Sequence, residues 1–271
     1  MKTDVMFMNK VVAVTGGASG IGAAICRRFG AAGARVAVLD MNKKDIDNLK
    51  KELSSKGIES LGVKCDISKQ GECEAAIARV VRRFGGIDVL VNNAGIAQRS
   101  PFVETELSVY RRVMDVNFFG SLYCTKAAIK SLLERKGLII VTSSLAGFSP
   151  LIGRTGYSAS KHALHGLFES LRPELRDSGL HVMMVCPGFT RTNLQTRALG
   201  ADGRVTDHPQ STFGVLDTPA HVADAVFRGA CKRKNIIVLT SVGRLTYALH
   251  RLAPGLYERQ MAKKLKSEIE G

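Results

Sequence analysis

The sequence predicts an α/β protein built on a doubly wound parallel sheet of about seven strands, with helices on both faces. Short apolar runs alternate with longer helix-compatible stretches, which is the pattern of a parallel sheet with helical crossovers. Runs such as Val182–Cys186 are almost continuously apolar, as expected for strands buried on both faces. Strands are expected near 10–15, 34–40, 58–64, 87–92, 137–142, 180–186 and 235–240, and helices near 20–32, 43–56, 69–84, 105–134, 157–178 and 218–233.

The first expected strand leads into a glycine-rich turn. The β-branched run Val11–Val14 precedes Thr15–Gly22, in which Gly16, Gly20 and Gly22 have the spacing G-x-x-x-G-x-G. A helix-compatible stretch follows. Strand, glycine turn and helix are the context of a dinucleotide-binding fingerprint, because glycines let the backbone approach a pyrophosphate and a helix N-terminus offers it free N–H groups. The pattern predicts a Rossmann-like nucleotide site.

The second expected strand ends in a carboxylate, Asp40, which lies 18 residues after Gly22. An acidic side chain at this place accepts hydrogen bonds from the ribose hydroxyls of NAD and repels the 2′-phosphate of NADP. No arginine or lysine lies within Thr15–Gly22, although Lys43 and Lys44 follow Asp40 closely. We therefore expect NAD as the cofactor, with NADP as the alternative.

A second constellation lies in the middle of the chain. Tyr157 and Lys161 are four residues apart in a helix-like stretch, and Ser144 follows the apolar run Leu138–Val141. Residues at this spacing share a helix face, and a nearby ammonium favours the ionised form of a phenol. The pattern predicts a tyrosine general acid and base with a lowered pKa, assisted by a serine that holds a substrate oxygen.

These motifs together resemble the short-chain dehydrogenase/reductase family from about Lys10 to Thr192, roughly two thirds of the chain. The similar segments are the TGxxxGIG loop, Cys65-Asp66-Ile67, Asn92-Asn93-Ala94-Gly95, Val116-Asn117 and Pro187-Gly188-Phe189. The resemblance implies that the cofactor is bound by Thr15, Gly16, Ser19, Gly20, Ile21, Gly22, Asp40, Asp66, Ile67, Asn93, Ala94, Gly95, Tyr157, Lys161, Pro187, Gly188 and Thr192.

The same resemblance implies a catalytic tetrad of Asn117, Ser144, Tyr157 and Lys161. The reaction would be hydride transfer between the nicotinamide and the carbon of a CH–OH group or a ketone. Tyr157 would exchange the hydroxyl proton, Ser144 would orient the substrate oxygen, and Lys161 would stabilise the phenolate and bind the nicotinamide ribose. Asn117 would hold a water that links Lys161 to solvent.

The substrate is expected to be hydrophobic. In the family that the chain resembles, the segment corresponding to 188–219 closes over the substrate, so we expect a substrate lid there. Leu145, Phe148, Phe189 and Leu194, together with Leu151 and Ile152, are candidates for an apolar pocket. A secondary alcohol or ketone of fatty acyl, steroid-like or aromatic type would suit such a lining, and the same side chains would equally suit an ordinary core.

Length and cysteine usage place the chain among globular proteins of a reducing compartment. Its 271 residues suffice for one domain over 1–271, and the six cysteines are scattered without a C-x-x-C pair. Free thiols and a cytoplasmic location are expected, without a metal site. The amino terminus has too short an apolar core for a signal peptide, and no apolar run approaches the ~20 residues of a membrane span. His162 and His165 are interpreted as structural.

The net charge of +15 is unusual, and the last 41 residues carry nine Lys/Arg against three Glu. Leucines interleave with these charges, so 241–271 is expected to be a basic amphipathic extension. Three interpretations remain open: a helix packed on its own domain or on another subunit, a membrane-surface contact, or a surface for acidic partners such as acyl carrier protein. Nucleic-acid binding is not expected, because no recognised nucleic-acid-binding motif accompanies the basic residues.

Two further functions compete with the hydrophobic-alcohol dehydrogenase. A 3-oxoacyl carrier-protein reductase would normally use NADPH. Asp40 followed by Met41 disfavours NADPH and therefore this function. A non-catalytic nucleotide-sensing protein on the same fold would lose tetrad members, whereas all four are present here. A homodimer or homotetramer formed through the helices near 105–134 and 157–178 is expected from the resemblance.

Overall fold

The computed structural model describes residues 4–208 and 216–265 and confirms the predicted fold class. Seven parallel strands form one sheet in the order β3–β2–β1–β4–β5–β6–β7. The strands are β1 Val11–Thr15, β2 Arg35–Asp40, β3 Ser60–Lys64, β4 Val89–Asn92, β5 Leu138–Thr142, β6 His181–Cys186 and β7 Ile236–Val238. The helices are α1 Gly20–Ala31, α2 Lys43–Ser55, α3 Gln70–Phe84, α4 Leu107–Met114, α5 Gly120–Glu134, α6 Thr155–Glu174, α7 Asn193–Thr196, α8 Pro219–Cys231, α9 Ser241–Leu252 and α10 Pro254–Leu265.

The sheet is covered on both faces, as the apolar strands predict. Successive side chains of a strand point to opposite faces, so Val12 and Val14 join one apolar cluster while Val11 and Ala13 join the other. The first cluster contains side chains of α1, α2 and α8, and the second contains side chains of α3, α5 and α6. Every residue of β1 is buried, which explains why its sequence does not alternate between apolar and polar positions.

Local sequence signals set several helix ends. The Asn42 side chain accepts hydrogen bonds from the backbone of Lys44 (3.1 Å) and Asp45 (3.3 Å) and so caps α2. Thr218 caps α8 in the same way, with Pro219 at the first helical position. Gly85 ends α3 in the left-handed conformation (φ 76°), which glycine adopts without a steric cost.

The prediction of one continuous α-helix over 105–134 is wrong. Between α4 and α5 the chain forms a wider turn, a π-helical segment over Asp115–Phe119. Such segments occur frequently at functional sites, and this one contains Asn117. Its side chain is fully buried and bonds to residues far away in sequence, so the local pattern alone carries no signal for the widened turn.

The carboxyl-terminal part of the chain forms the two helices α9 and α10, which meet at Ala253. Of the predicted extension over 241–271, positions 266–271 lie outside the described residues. Of the predicted lid over 188–219, positions 209–215 also lie outside them, and the rest consists of α7, the first residue of α8 and irregular segments. The single-domain and lid assignments stay predictions.

Candidate active site

A cleft with a volume of about 1570 Å³ runs along the carboxyl edge of the parallel sheet. It lies where the strand order reverses, because β1 is flanked by β2 on one side and by β4 on the other. In open α/β sheets, ligands bind in the crevice at this reversal. One end of the cleft is formed by the glycine loop and Asp40, the middle by Tyr157, and the other end by α9 and α10.

The glycine loop forms a cradle that side chains would fill. Gly16 and Gly20 have positive φ angles (59° and 51°), which other residues rarely adopt. A Cβ on Gly16 would lie 2.8 Å from the Cα of Ala94. Ser19 precedes α1 without a side-chain capping bond, so the first backbone N–H groups of the helix face the cleft without a cap. A pyrophosphate fits this combination.

Thr15 and Gly22 belong to the framework below the cleft and do not line it. The hydroxyl oxygen of Thr15 accepts hydrogen bonds from the backbone N–H groups of Asn93 (3.0 Å) and Ala94 (3.1 Å). The Asn93 amide donates back to the carbonyl oxygens of Thr15 (3.1 Å) and Gly16 (3.2 Å). A Cβ on Gly22 would clash with the Gly16 carbonyl. These residues fix the shape of the loop and its distance from β4.

Asp40 lines the cleft at the end of β2. Its carboxylate accepts hydrogen bonds from the backbone N–H groups of Ala18 (3.1 Å) and Asn42 (3.0 Å). A carboxylate has about four acceptor positions, so two bonds leave capacity for ribose hydroxyls. The same charge disfavours an additional phosphate at this place.

Asp66 and Ile67, which are predicted to bind the cofactor, line the cleft beside the glycine loop. The Asp66 carboxylate accepts hydrogen bonds from the backbone N–H (3.1 Å) and the hydroxyl (2.7 Å) of Ser68. Its own backbone N–H donates to Glu72 (2.8 Å). The segment is therefore held in a fixed conformation at the end where the adenine of a dinucleotide would lie.

Asn117 is fully buried and connects two walls of the site. Its side-chain amide donates to the Ile96 carbonyl (3.0 Å) and to the Ser160 hydroxyl (2.8 Å). Its side-chain oxygen accepts the Ile96 N–H (2.8 Å). The π-helical segment thus holds the loop after β4 against α6. Sequence reasoning did not identify Ser160, and its position beside Lys161 is no distinctive signal.

Tyr157 and Ser144 meet on one wall of the cleft, Tyr157 from α6 and Ser144 from the end of β5. The Ser144 hydroxyl also accepts the backbone N–H of Ala146 (3.2 Å). Burial raises the pKa of Tyr157, while the hydrogen bond with Ser144 and the charge of Arg154 lower it by less. The predicted lowering of the Tyr157 pKa is therefore wrong for this structure, and the phenol is neutral at pH 7.

Lys161 lies on the same face of α6 as Tyr157, as the spacing predicts. It is 4% exposed, its ammonium donates to the Thr142 carbonyl (2.9 Å), and it lies 5.7 Å from the centre of the Tyr157 ring. Burial lowers the pKa of Lys161 to about 8. The Lys161 ammonium is bonded to Thr142 and lies at a distance from the Tyr157 ring. This position explains why its charge does not offset the rise that burial causes in the Tyr157 pKa.

Ten of the predicted cofactor residues from the glycine loop, the segment after β4 and the segment after β6 line the cleft. They are Gly16, Ser19, Gly20, Ile21, Asn93, Ala94, Gly95, Pro187, Gly188 and Thr192. The Thr192 hydroxyl caps α7 by accepting the Leu194 N–H (3.4 Å). The structure therefore gathers nearly the whole predicted set along one continuous surface.

The apolar candidates separate into two groups. Leu145, Leu151, Phe189 and Leu194 line the cleft. Phe148 does not line it, contrary to the prediction, because its ring packs edge-on against Tyr247 of α9 (4.8 Å between ring centres) and lies 6.1 Å from the His165 ring. Ile152 is likewise not among the lining residues. Phe148 is directed away from the cleft lining by its packing against α9.

Arg154 and the carboxyl-terminal helices are site features that sequence reasoning missed. Arg154 lines the cleft, is 2% exposed, and its charge lowers the pKa of Tyr157. Leu245, Leu249 and Met261 of α9 and α10 line the end of the cleft beyond Tyr157. The only available signal was the four-residue spacing of Leu245 and Leu249, which marks an apolar helix face without saying what it covers.

The histidines and cysteines take structural positions. His162 contacts the Ser158 carbonyl through Nδ1 (2.9 Å), and His165 contacts Glu169 (2.7 Å) and the thiol of Cys186 (3.8 Å). All six cysteines are free thiols, as predicted. Burial raises the pKa of Cys186 to about 12, so this thiol is protonated at neutral pH.

The fold and the cleft define a nucleotide-binding protein of the Rossmann type. A family model described as short chain dehydrogenase matches residues 10–201. The chain therefore belongs to the short-chain dehydrogenase/reductase family, a family of oxidoreductases.

Curated relatives match along almost the whole chain. The mouse protein called dehydrogenase/reductase SDR family member 7B is 37% identical over 99% of this chain and 85% of its own length. The zebrafish protein of the same name is 34% identical over 96% of this chain and 87% of its own. A Drosophila melanogaster protein called dehydrogenase/reductase SDR family protein 7-like is 31% identical over 94% of this chain and 80% of its own.

A solved structure has the same fold. The short-chain dehydrogenase/reductase from Burkholderia phymatum, crystallised in complex with NAD, superposes with a TM-score of 0.83 and 24% sequence identity. The match covers 92% of this chain and 95% of that one. At this level of identity the likeness supports the fold alone.

Proposed function

We propose that this protein is an NAD-dependent oxidoreductase that interconverts a hydrophobic secondary alcohol and its ketone, with Tyr157 as the general acid and base. The observation that carries the proposal is the meeting of Tyr157, Ser144 and the buried Lys161 in the middle of a cleft whose one end is a glycine cradle and whose other end is apolar. A nucleotide reaching from the cradle toward Tyr157 would meet a substrate entering from the apolar end.

Different residues of the chain would have different roles in such a reaction. A nicotinamide cofactor held by the glycine loop and Asp40 would supply or accept the hydride. Tyr157, a neutral phenol in this structure, gives its proton to a ketone oxygen in the reducing direction and takes it from an alcohol in the other. Ser144 donates a hydrogen bond to the same oxygen and stabilises its developing charge.

Lys161 supplies positive charge next to this proton transfer. Its ammonium uses one hydrogen for the Thr142 carbonyl, and two remain for a ribose hydroxyl and for a water on the path to solvent. With a pKa of about 8, it is mostly charged at pH 7 and titrates in the range in which such reactions are usually assayed. The Arg154 guanidinium adds a further stabilising charge for the phenolate.

The choice of NAD over NADP is supported by Asp40. Its carboxylate lines the cleft next to the glycine loop and retains acceptor positions. Lys43, the nearest following cation in sequence, is paired with Asp47. The bacterial protein with the same fold was crystallised with NAD, which agrees with this choice.

A hydrophobic substrate is supported by the side chains at the far end of the cleft. Leu145, Leu151, Leu194, Leu245 and Leu249 all line it. Burying apolar surface against such residues contributes about 25 cal/mol per Å². A ketone or alcohol with an extended apolar substituent is the best match.

The proposal is tested by cofactor binding and a substrate panel. Calorimetry with NAD and NADP should show tighter binding of NAD, and a panel of medium- and long-chain ketones and alcohols should show turnover by the change in NADH absorbance. Binding of NAD without turnover across the panel would favour the nucleotide-sensing alternative, and absence of binding would contradict both. A Ser144→Ala variant is the control for turnover by a contaminating enzyme.

A further inference from the structure

The mouth of the cleft is bordered by α9 and α10 on one side. Tyr257 of α10 is 6% exposed and donates its hydroxyl hydrogen to the Pro150 carbonyl (2.8 Å). The Tyr247 ring of α9 packs on Phe148. These contacts tie both helices to the segment that follows Ser144, so the pair forms a fixed wall of the site.

The outer surface of this helix pair carries exposed leucines. Leu245, Leu249 and Leu252 lie on one face of α9 at spacings of four and three residues. Leu245 lines the cleft and is 70% exposed, Leu252 is 85% exposed, and Leu256 at the start of α10 is 50% exposed. The apolar lining of the cleft therefore continues through its mouth onto the outer surface.

Exposed cations lie on the same two helices as these leucines. Arg244, Arg251, Arg259 and Lys263 are exposed on α9 and α10, and in the described part of the chain no carboxylate pairs with any of them. Outside these two helices, Arg111, Arg112, Arg197 and Arg204 also line the cleft and are exposed, and Arg204 pairs with Asp202. Among positions 241–265 a single carboxylate, Glu258, is present.

We propose that the surface formed by α9 and α10, here called the mouth surface, docks on an anionic lipid bilayer and lets an apolar substrate pass from the bilayer into the cleft. Amphipathic helices with leucines flanked by Lys and Arg bind at the interface of anionic membranes. An acidic protein partner would complement the charge of the cations. It would not explain why exposed leucines lie beside them at the entrance of the cleft. The inference extends the proposed function, since it assigns the source of the hydrophobic substrate.

The chain offers a clean reporter because it contains no tryptophan. A Leu252→Trp variant places one indole on the mouth surface. Its emission should shift to shorter wavelength and be quenched by brominated lipid when vesicles of phosphatidylglycerol and phosphatidylcholine are added. The matched control is Val5→Trp, because Val5 is 65% exposed but precedes β1, at the amino edge of the sheet away from the cleft. Its emission should not change.

Paired neutralisations separate the mouth surface from the overall charge of +15. Each cation near an anionic membrane contributes about fivefold to affinity, so Arg251→Gln with Arg259→Gln should weaken vesicle binding about 25-fold. The control pair is Arg79→Gln with Arg82→Gln, which removes the same charge from the exposed face of α3 and should have little effect.

Three outcomes would overturn the inference. These are no vesicle binding at low salt, an equal loss of binding in both arginine pairs, and a shift of the Leu252→Trp emission that grows with protein concentration without lipid, which would mean that a second copy covers the surface. Vesicle binding is measured without turnover, so its failure would leave reduction of a soluble ketone unaffected. Failure of the proposed function would appear instead as a lack of turnover despite vesicle binding.

Discussion

The burial of Lys161 makes a quantitative prediction about stability and pH. Its pKa is about 8 in the folded protein against an ordinary value of 10.5, so the folded state disfavours the charged form. Below pH 8 the lysine is charged in both states, and the cost of burying the ammonium is present in full. Between pH 8 and 10.5 the unfolded chain binds more protons than the folded one, so the free energy of unfolding rises with pH.

The size of this effect follows from the two pKa values. Each pKa unit corresponds to about 1.4 kcal/mol, so the full gain is about 3 kcal/mol, of which about 2–3 kcal/mol is reached by pH 10. Tyr157 and Cys186, whose pKa values are raised, have the opposite effect at high pH. Both groups remain in the Lys161 variant that is compared with the wild type below, so most of their contribution cancels.

The assay is urea unfolding of the cofactor-free wild type and of Lys161→Met at pH 7, 8, 9 and 10. The difference in unfolding free energy, wild type minus variant, should grow by about 2–3 kcal/mol from pH 7 to pH 10. The lost bond to Thr142 adds an offset that does not depend on pH. Parallel profiles, or a wild type that loses stability relative to the variant as the pH rises, would refute the assignment of a buried ammonium.

Two further substitutions test the cofactor end and the support of the tetrad. Asp40→Asn keeps acceptor capacity but removes the charge. The difference in binding free energy between NAD and NADP, measured by calorimetry, should therefore shrink by about 1–3 kcal/mol, the Coulomb energy expected near a surface. An unchanged difference would exclude Asp40 as the discriminating group. Ser160→Ala removes the acceptor of the buried Asn117 amide (2.8 Å) and should cost about 1–2 kcal/mol in urea unfolding. The exposed Ser54→Ala is its control, and equal stability of the two variants would contradict this role.

The fold was predictable because strand periodicity is local. All seven strands were expected, and the observed bounds differ by only a few residues. The reason is that a strand is signalled by an apolar run and by the turn residues next to it in sequence. The π-helical turn at Asn117 was not predictable, because it is held by bonds to Ile96 and Ser160. Such bonds depend on how distant segments meet.

The placement of part of the site was predictable, but its electrostatics were not. The four-residue spacing placed Tyr157 and Lys161 on one helix face. The raised pKa of Tyr157 could not be read from this spacing, because it depends on the burial of the phenol among distant segments and on the Lys161 bond to Thr142. Similarly, the leucines of α9 indicated an apolar face, but only the structure reveals that this face closes the cleft.

The most direct test of the proposed mechanism is single-turnover oxidation of bound NADH by a hydrophobic ketone, with wild type and Tyr157→Phe compared. The variant should bind NADH as the wild type does, because the ring and its packing remain. Its rate of NADH oxidation should fall by about 100- to 10,000-fold, the usual contribution of a general acid. NADH oxidation by the variant at a rate close to that of the wild type would contradict the assignment of Tyr157 as the proton donor.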